Sequence, residues 1–134
     1  MSNEELIKMA KKVKINAYVD ITGYKVGAAL LSTNNTIHLG VNVEEKCIPN
    51  LSICAERNAF QSAFTTGERN FSKIAVVGGM GDKIDETLTP CGICLQYMLD
   101  MSPNIKIVAY INGVIEEKSI QDFLAVPFVL NEKK

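Results

Sequence analysis

Apolar residues near the start of the chain recur three or four positions apart: Leu6, Met9, Ala10, Val13 and Ala17. This is the spacing of a helix that buries one face. Ser2 and Glu5 precede the pattern at the separation of a capping box, in which each side chain bonds the other residue's backbone N–H. The pattern therefore predicts an amphipathic first helix.

The next apolar runs are shorter and are separated by polar residues. Residues 26–31 and 37–43 flank Thr33-Asn34-Asn35-Thr36, which predicts two strands joined by a turn. Residues 54–66 have a helical composition, and the β-branched run at 73–79 is typical of a buried strand. The first half of the chain thus alternates between helical and strand patterns.

The second half continues the alternation. A helix is predicted to start near Cys91 and to be followed by a strand over Ile105 to Ile111. Asn112-Gly113 is a strong hairpin turn signal, so a return strand is predicted from Val114, and Ser119 opens a last short helix. Five strands interleaved with helices predict an α/β layered sandwich with a mixed sheet.

Composition and charge narrow the classes of function. The chain has 134 residues, of which 47% are hydrophobic, and these values suit a single domain over residues 1–134. The formal net charge of −1 offers no general attraction for nucleic acid or an anionic membrane. No apolar run is long enough to span a bilayer, and the first residues lack a signal peptide pattern. A cytoplasmic protein with a small-molecule substrate is expected.

Two short motifs carry the candidate chemistry. Cys54-Ala55-Glu56 and Pro90-Cys91-Gly92-Ile93-Cys94 both lie where a loop enters a predicted helix. Exposed amides at a helix start favour the thiolate form that binds metal. Three thiolates would leave one tetrahedral position of Zn²⁺ open to water, as in catalytic zinc sites. Cysteine ligands are expected here because a cytoplasmic protein keeps its thiols reduced.

Two charged side chains accompany the cysteines. Glu56 lies two residues beyond Cys54, where it could take a proton from water and pass it to a substrate without ligating the metal. Arg57 is the predicted cation that withdraws charge from the thiolates. A Cys-x-x-Cys pair alone could equally be a redox pair or half of a structural zinc site. Its combination with Cys-x-Glu matches the zinc deaminase signature in its three-cysteine form.

The motifs as a set resemble the short, homotetrameric cytidine deaminases. Besides the two zinc motifs and Gln96, the segments Ala17-Tyr18, Val26-Gly27-Ala28-Ala29 and Gly40-Val41-Asn42-Val43-Glu44 match that family in order. The resemblance implies a three-layer α/β/α sandwich with a mixed five-stranded sheet and one zinc ion per subunit. It also implies a homotetramer with active sites at the subunit interfaces.

The same resemblance implies the reaction and the substrate contacts. It implies hydrolytic attack at C4 of cytidine or deoxycytidine and loss of ammonia, with Glu56 also holding the ring nitrogen. By position, Asn42 and Glu44 are expected to bind the sugar hydroxyls, and Ala55 is expected to offer its backbone. Tyr24 stands where the family has a phenylalanine against the base.

Three segments depart from that family's pattern. Asp20-Ile21-Thr22 replaces Pro-Tyr-Ser, and residues 45–49 differ from the family after Glu44. Leu95 replaces the arginine that often follows the last zinc cysteine. These changes leave the ligands and Glu56 intact and concern the substrate, so a related nucleoside such as blasticidin S is the alternative.

The remaining candidates have plainer interpretations. Cys47 is predicted to be an incidental thiol, although a closed four-cysteine site in a non-catalytic zinc protein is the alternative. His38 is predicted to be a surface strand residue without a catalytic role. Phe128 is predicted to anchor the last helix or to lie near a neighbouring active site. The pairs Lys11-Lys12 and Lys133-Lys134 are too few for a nucleic acid footprint.

Overall fold

The computed structural model describes residues 1–130, so the Lys133-Lys134 pair lies outside the described residues. Within that range the helices and strands follow in the order α1 (Asn3–Lys14), β1 (Tyr24–Ser32), β2 (Ile37–Val41), α2 (Ala55–Thr65), β3 (Phe71–Met80), α3 (Gly92–Met101), β4 (Lys106–Ile111) and β5 (Val114–Ser119). Single 3-10 turns cover Pro49–Leu51 and Ile120–Asp122.

The five strands form one mixed sheet in the order β2-β1-β3-β4-β5. β3 and β4 are parallel, and the other neighbours are antiparallel. A parallel pair needs a crossover connection, which α3 provides between β3 and β4. At the β4–β5 turn, Asn112 and Gly113 have φ angles of 52° and 80°, as a tight hairpin turn requires.

Alternate residues of the central strands bury two separate hydrophobic clusters. On β1, Ala28 and Leu30 belong to the cluster that contains the buried residues of α2 and α3. Ala29 and Leu31 belong to the cluster that contains those of α1. Because successive side chains of a strand point to opposite faces, α1 covers one face of the sheet and α2 and α3 cover the other. This confirms the predicted three-layer α/β/α fold.

The sequence predictions fail at three places. The last helix is only the single 3-10 turn Ile120–Asp122, although Ser119 does form a capping box with Asp122. Phe128 is 69% exposed and anchors no helix, because the chain beyond this turn forms neither helix nor strand up to residue 130. His38 is buried rather than on the surface, and its Nε2 atom lies 4.0 Å from Oε2 of Glu68.

Gly40 on β2 lets α2 approach the sheet closely. A Cβ atom at this position would overlap the backbone carbonyl oxygen of Ala55 and the backbone nitrogen of Ala59. Ala55 opens the helix that directly follows Cys54. The missing side chain therefore places the start of α2 against the sheet.

Replacing Gly40 with alanine should lower the free energy of unfolding by about 1–3 kcal/mol, because backbone atoms cannot move aside as a flexible side chain can. Urea unfolding followed by circular dichroism measures the change. Gly92→Ala is the matched control, since a Cβ there meets no atom of the described residues within 4 Å. Equal stability of Gly40→Ala and the parent would contradict the close packing.

No helix in the part of the chain that the structure describes has the length and apolar character needed to cross a membrane.

Candidate metal centre and active site

Three cysteines meet where two helices begin. Cys54 and Cys91 are the N-cap residues of α2 and α3, and Cys94 lies in the first turn of α3. The three Sγ atoms lie within 4.8 Å of one another, and those of Cys54 and Cys91 are 3.9 Å apart. Tetrahedral zinc with Zn–S bonds of about 2.3 Å places its sulfur ligands about 3.8 Å apart. The three thiols therefore fit one zinc ion.

The thiols differ in acidity because they share hydrogen bonds. A hydrogen bond from the Cys94 thiol lowers the pKa of Cys54 well below its usual range, and the Arg57 guanidinium contributes to this lowering against the effect of burial. The same bond to Cys54, together with burial, raises the pKa of Cys94 above its usual range. Cys54 is thus the thiol of this pair that ionises more readily, and the thiolate is the form that binds metal.

Glu56 lies beside this cluster in the first turn of α2 and is 4% exposed. Burial raises the pKa of its carboxyl to about 7, and the nearby Cys54 thiolate adds to the rise. The side chain can therefore hold or release a proton near neutral pH, as a general acid and base must. It is not one of the three clustered metal-binding groups.

Arg57 provides the positive charge next to the cysteines. Its Nη2 atom donates to Sγ of Cys54 over 3.6 Å, and the hydrogen bond raises the pKa of the guanidinium. Three thiolates on a divalent cation carry a net charge of about −1, which weakens its Lewis acidity. The position of Arg57 is the one predicted from sequence for a cation that withdraws charge from sulfur.

A cavity of about 580 Å³ opens over the cysteines, a volume typical of a small-molecule site. Its lining combines the motif residues with polar and apolar side chains from β1 and from the two loops that precede α2 and α3. The lining residues are Val26, Asn42, Val43, Glu44, Pro49, Asn50, Ser52, Ile53, Cys54, Ala55, Glu56, Arg57, Leu88, Thr89, Cys91 and Ile93.

Asn42 lies in this cavity and is held by the backbone of the neighbouring strand. Its Oδ1 atom accepts a hydrogen bond from the Val26 amide, and its Nδ2 atom donates to the Tyr24 carbonyl oxygen, each over 2.9 Å. One amide hydrogen and one oxygen lone pair remain for a ligand. Ala55 is fully buried and lines the same cavity.

Glu44 lines the cavity two residues beyond Asn42. Its carboxylate accepts hydrogen bonds from the backbone of Ile21 and Thr22 and from the Thr22 hydroxyl. These bonds hold the pKa of Glu44 below its usual value, with the Thr22 side chain as the first cause. The structure thus brings Asn42, Glu44 and Glu56 to one cavity.

Tyr24 is not among the described residues that line the cavity. Its hydroxyl donates to Oδ2 of Asp85 over 2.6 Å, and its ring lies beside Gly78 on β3. Burial and the Asp85 contact raise the pKa of the tyrosine. Val26, two residues further along β1, does line the cavity.

Cys47 is exposed, and it is not part of the cysteine cluster found among residues 1–130. The described residues therefore bring three cysteines together rather than four. A site with three protein ligands leaves a coordination position open, which is the arrangement of catalytic zinc. This geometry disfavours the closed structural site considered from sequence.

The fold and the cavity together define a zinc-binding enzyme, and comparisons with known proteins give its family. The family model for the cytidine and deoxycytidylate deaminase zinc-binding region matches residues 1–111. A cytidine deaminase from Sporosarcina psychrophila is 35% identical over 130 residues, which cover 96% of this chain and 92% of the relative. The chain belongs to the cytidine and deoxycytidylate deaminase family.

The chain is also similar to a solved cytidine deaminase structure and to a blasticidin-S deaminase. The crystal structure of cytidine deaminase from Burkholderia pseudomallei matches with a TM-score of 0.84 and 35% identity, covering 96% of this chain and all of the other. A blasticidin-S deaminase from Bacillus cereus is 28% identical over 131 residues, which cover 95% of this chain and 92% of that relative. Both resemblances span nearly the whole chain.

Several cavity residues had no signal in the sequence. Leu88 and Thr89 come from the loop before α3, and Ile53 precedes the first zinc motif. Leucine, isoleucine and threonine also occur throughout ordinary cores and loops, so these residue types alone do not mark a site. Thr89 and Ile53 are adjacent in sequence to the motif residues Pro90 and Cys54. This adjacency was the only feature of the sequence that pointed to a place in the cavity lining.

Proposed function

We propose that this chain is a zinc-dependent cytidine deaminase that converts cytidine and deoxycytidine to uridine and deoxyuridine with release of ammonia. The observation that carries the proposal is the buried Glu56 carboxyl beside three clustered thiols in the wall of a cavity. Similarity to cytidine deaminases over nearly the whole chain supports the substrate class. The proposal treats residues 1–134 as one domain.

The chemistry divides between the metal and the glutamate. Cys54, Cys91 and Cys94 would hold one zinc ion, which when bound supplies the Lewis acid that activates water. Glu56 accepts the proton of the attacking water and donates it to the pyrimidine ring nitrogen. It later takes the proton of the hydroxyl that was added at C4 and donates it to the amino group, which leaves as ammonia. A group with a pKa of about 7 exchanges protons readily near neutral pH.

The substrate contacts follow from the cavity lining. Asn42 and Glu44 bind the sugar hydroxyls, because the amide can donate and accept while the carboxylate can accept. The backbone of Ala55 contacts the base next to Glu56. A contact between Tyr24 and the base stays a prediction, because the bond from its hydroxyl to Asp85 holds the side chain outside the cavity lining.

Loss of cytidine absorbance tests the proposal directly. Purified protein with measured zinc content is mixed with cytidine, deoxycytidine and blasticidin S in parallel. Turnover of cytidine with about one zinc ion per chain is expected, and ammonia release should match the amount of cytidine lost. Stoichiometric zinc without turnover of cytidine or deoxycytidine would contradict the proposed substrate.

Blasticidin S is the second candidate substrate. The similarity to a blasticidin-S deaminase supports it, as do the departures from the cytidine deaminase pattern at residues 20–24 and 45–50. Pro49 and Asn50 line the cavity, so changes in this segment reach the substrate site. Turnover of blasticidin S without turnover of cytidine would favour this candidate.

The active protein is proposed to be a homotetramer whose sites meet at subunit interfaces. Large exposed apolar side chains lie in the cavity lining or next to lining residues in the chain, and such clusters mark association surfaces: Ile48, Leu51 and Ile93. Phe128 is also exposed. Gln96 donates to the Phe128 carbonyl oxygen over 2.8 Å, so the C-terminal segment runs beside α3. Light scattering tests the assembly, and a fully active monomer would contradict it.

The proposed substrate is a free nucleoside, and the proposed location of the protein is the cytoplasm. Neither a nucleic acid nor a membrane is proposed as a partner. The net charge of −1 supports a small substrate over a polyanion, because phosphate binding relies on clustered Lys and Arg. Deamination of cytosine in a single-stranded oligonucleotide should therefore be undetectable beside that of cytidine.

A further inference from the structure

The Glu44 carboxylate is held by the segment that departs from the family pattern. Its Oε1 atom accepts hydrogen bonds from the amides of Ile21 and Thr22, each over 3.0 Å. Its Oε2 atom accepts from the Thr22 hydroxyl over 2.5 Å. All three donors belong to two adjacent residues, so one short turn orients the whole carboxylate.

The Thr22 hydroxyl is itself fixed in direction. The Tyr24 amide donates to its Oγ1 atom over 3.0 Å, which uses an oxygen lone pair. A hydroxyl has a single hydrogen, and here that hydrogen is directed to Glu44. Thr22 therefore links the start of β1 to one particular oxygen of the glutamate.

This arrangement leaves a defined acceptor for a ligand. An ionised carboxylate has about four acceptor positions, two on each oxygen. Both positions of Oε1 are used by backbone amides, and Thr22 uses one of the two on Oε2. One position on Oε2 remains, in a residue that lines the same cavity as Glu56.

Asn42 is oriented in a different way. Its side chain bonds the backbone of Tyr24 and Val26, and it makes no bond to the Thr22 side chain among the described residues. Loss of the Thr22 hydroxyl should therefore disturb Glu44 while leaving the bonds of Asn42 in place. The two sugar-binding candidates can be separated experimentally.

We propose that Thr22 is a positioning residue that aims Oε2 of Glu44 at a sugar hydroxyl and so sets the preference for hydroxylated sugars. This inference rests on the proposed function, because it takes a nucleoside as the ligand. Thr22 acts through Glu44, so it should affect the binding of the sugar and leave the proton transfers at Glu56 unchanged.

The test measures kcat and KM for cytidine and the inhibition constant of 2′,3′-dideoxycytidine, which lacks both hydroxyls of the sugar ring. Thr22→Val should raise KM for cytidine about tenfold with kcat changed less than about twofold, the size expected for one hydrogen bond to a charged group. The inhibition constant of the dideoxy analogue should stay unchanged. Thr22→Ser keeps the hydroxyl and should restore the parent KM.

Two further variants make the outcome decisive. Thr22→Ala removes the same hydroxyl and should likewise raise KM for cytidine with little change in kcat. The hydroxyl can therefore still be tested if Thr22→Val does not fold. Thr33→Val is the matched control, because Thr33 is exposed in the turn at the opposite end of β1. 2′-Deoxycytidine shows which hydroxyl is involved. If Glu44 binds the 2′ hydroxyl, Thr22→Val should leave the KM for 2′-deoxycytidine unchanged, as it leaves the inhibition constant of 2′,3′-dideoxycytidine unchanged.

Three results would overturn the inference. An unchanged KM for cytidine in Thr22→Val and Thr22→Ala would show that the hydroxyl does not matter. An equal rise for cytidine and the dideoxy analogue would show a general structural effect. Parent protein that turns over no cytidine would refute the proposed function, and the inference with it, before any variant is compared.

Discussion

Replacing Glu56 with glutamine should lower kcat for cytidine by about 10²–10⁴-fold while zinc stays bound, because the amide cannot transfer protons. Glutamine has nearly the same shape as glutamate, and Glu56 is not one of the three clustered ligands. The measurements are steady-state kinetics and zinc content of the same preparation. Activity near that of the parent in a zinc-loaded variant would refute the assigned role.

The stability of Glu56→Gln provides a check that the loss is chemical. The pKa of Glu56 in the folded protein is about 7, against an ordinary value of 4.5. As pH rises, the unfolded chain loses this proton near pH 4.5 and the folded protein loses it only near pH 7. The free energy of unfolding therefore falls as pH rises from about 4.5 to 7. The glutamine variant cannot ionise, so the metal-free variant should resist urea at least as well as the parent at pH 7.

A matched control separates the site from its surroundings. Glu116 lies on β5, the strand at the opposite edge of the sheet from β2, and its carboxylate pairs with Lys118 over 3.2 Å at the surface. Glu116→Gln should keep kcat within about twofold of the parent, since exposed ion pairs contribute little. A similar loss of activity in both variants would show that the effect is not specific to Glu56.

The parts of the fold that the sequence predicted depend on local rules. Asn112-Gly113 predicted a hairpin because both residues tolerate positive φ, and both adopt it. The zinc ligands were also local: Cys91 and Cys94 lie in one helical turn, and the loop-to-helix position of Cys54 was visible in its motif. Local rules did not predict that the two motifs lie close together in space. That prediction came from the family resemblance.

The features that the sequence did not indicate depend on residues far apart in the chain. Tyr24 points to Asp85, which lies 61 positions away, so no pattern around Tyr24 could indicate its direction. His38 was predicted to be on the surface because it lies in a hairpin strand away from the motifs, but Glu68, three residues beyond the end of α2, lies against it. The bonds from Thr22 to Glu44 likewise span 22 residues and depend on how two loops meet.

Replacing Cys91 with serine should remove most of the bound zinc and reduce activity below detection. A hydroxyl stays protonated at neutral pH and is a much poorer ligand than a thiolate, and two cysteines cannot supply the three protein ligands of a catalytic zinc site. Zinc content by atomic emission and cytidine turnover should fall together. Added zinc should restore little activity, because the missing ligand lies on the protein.

Cys47→Ser is the matched control, since it makes the same chemical change at an exposed thiol outside the cluster. This variant should keep about one zinc ion per chain and the parent kcat. If Cys47→Ser instead lost its zinc, the metal would have four cysteine ligands and no open position for water, as in structural sites. That result would overturn the catalytic interpretation, whereas loss of zinc in Cys91→Ser alone would agree with three cysteine ligands and one position left open for water.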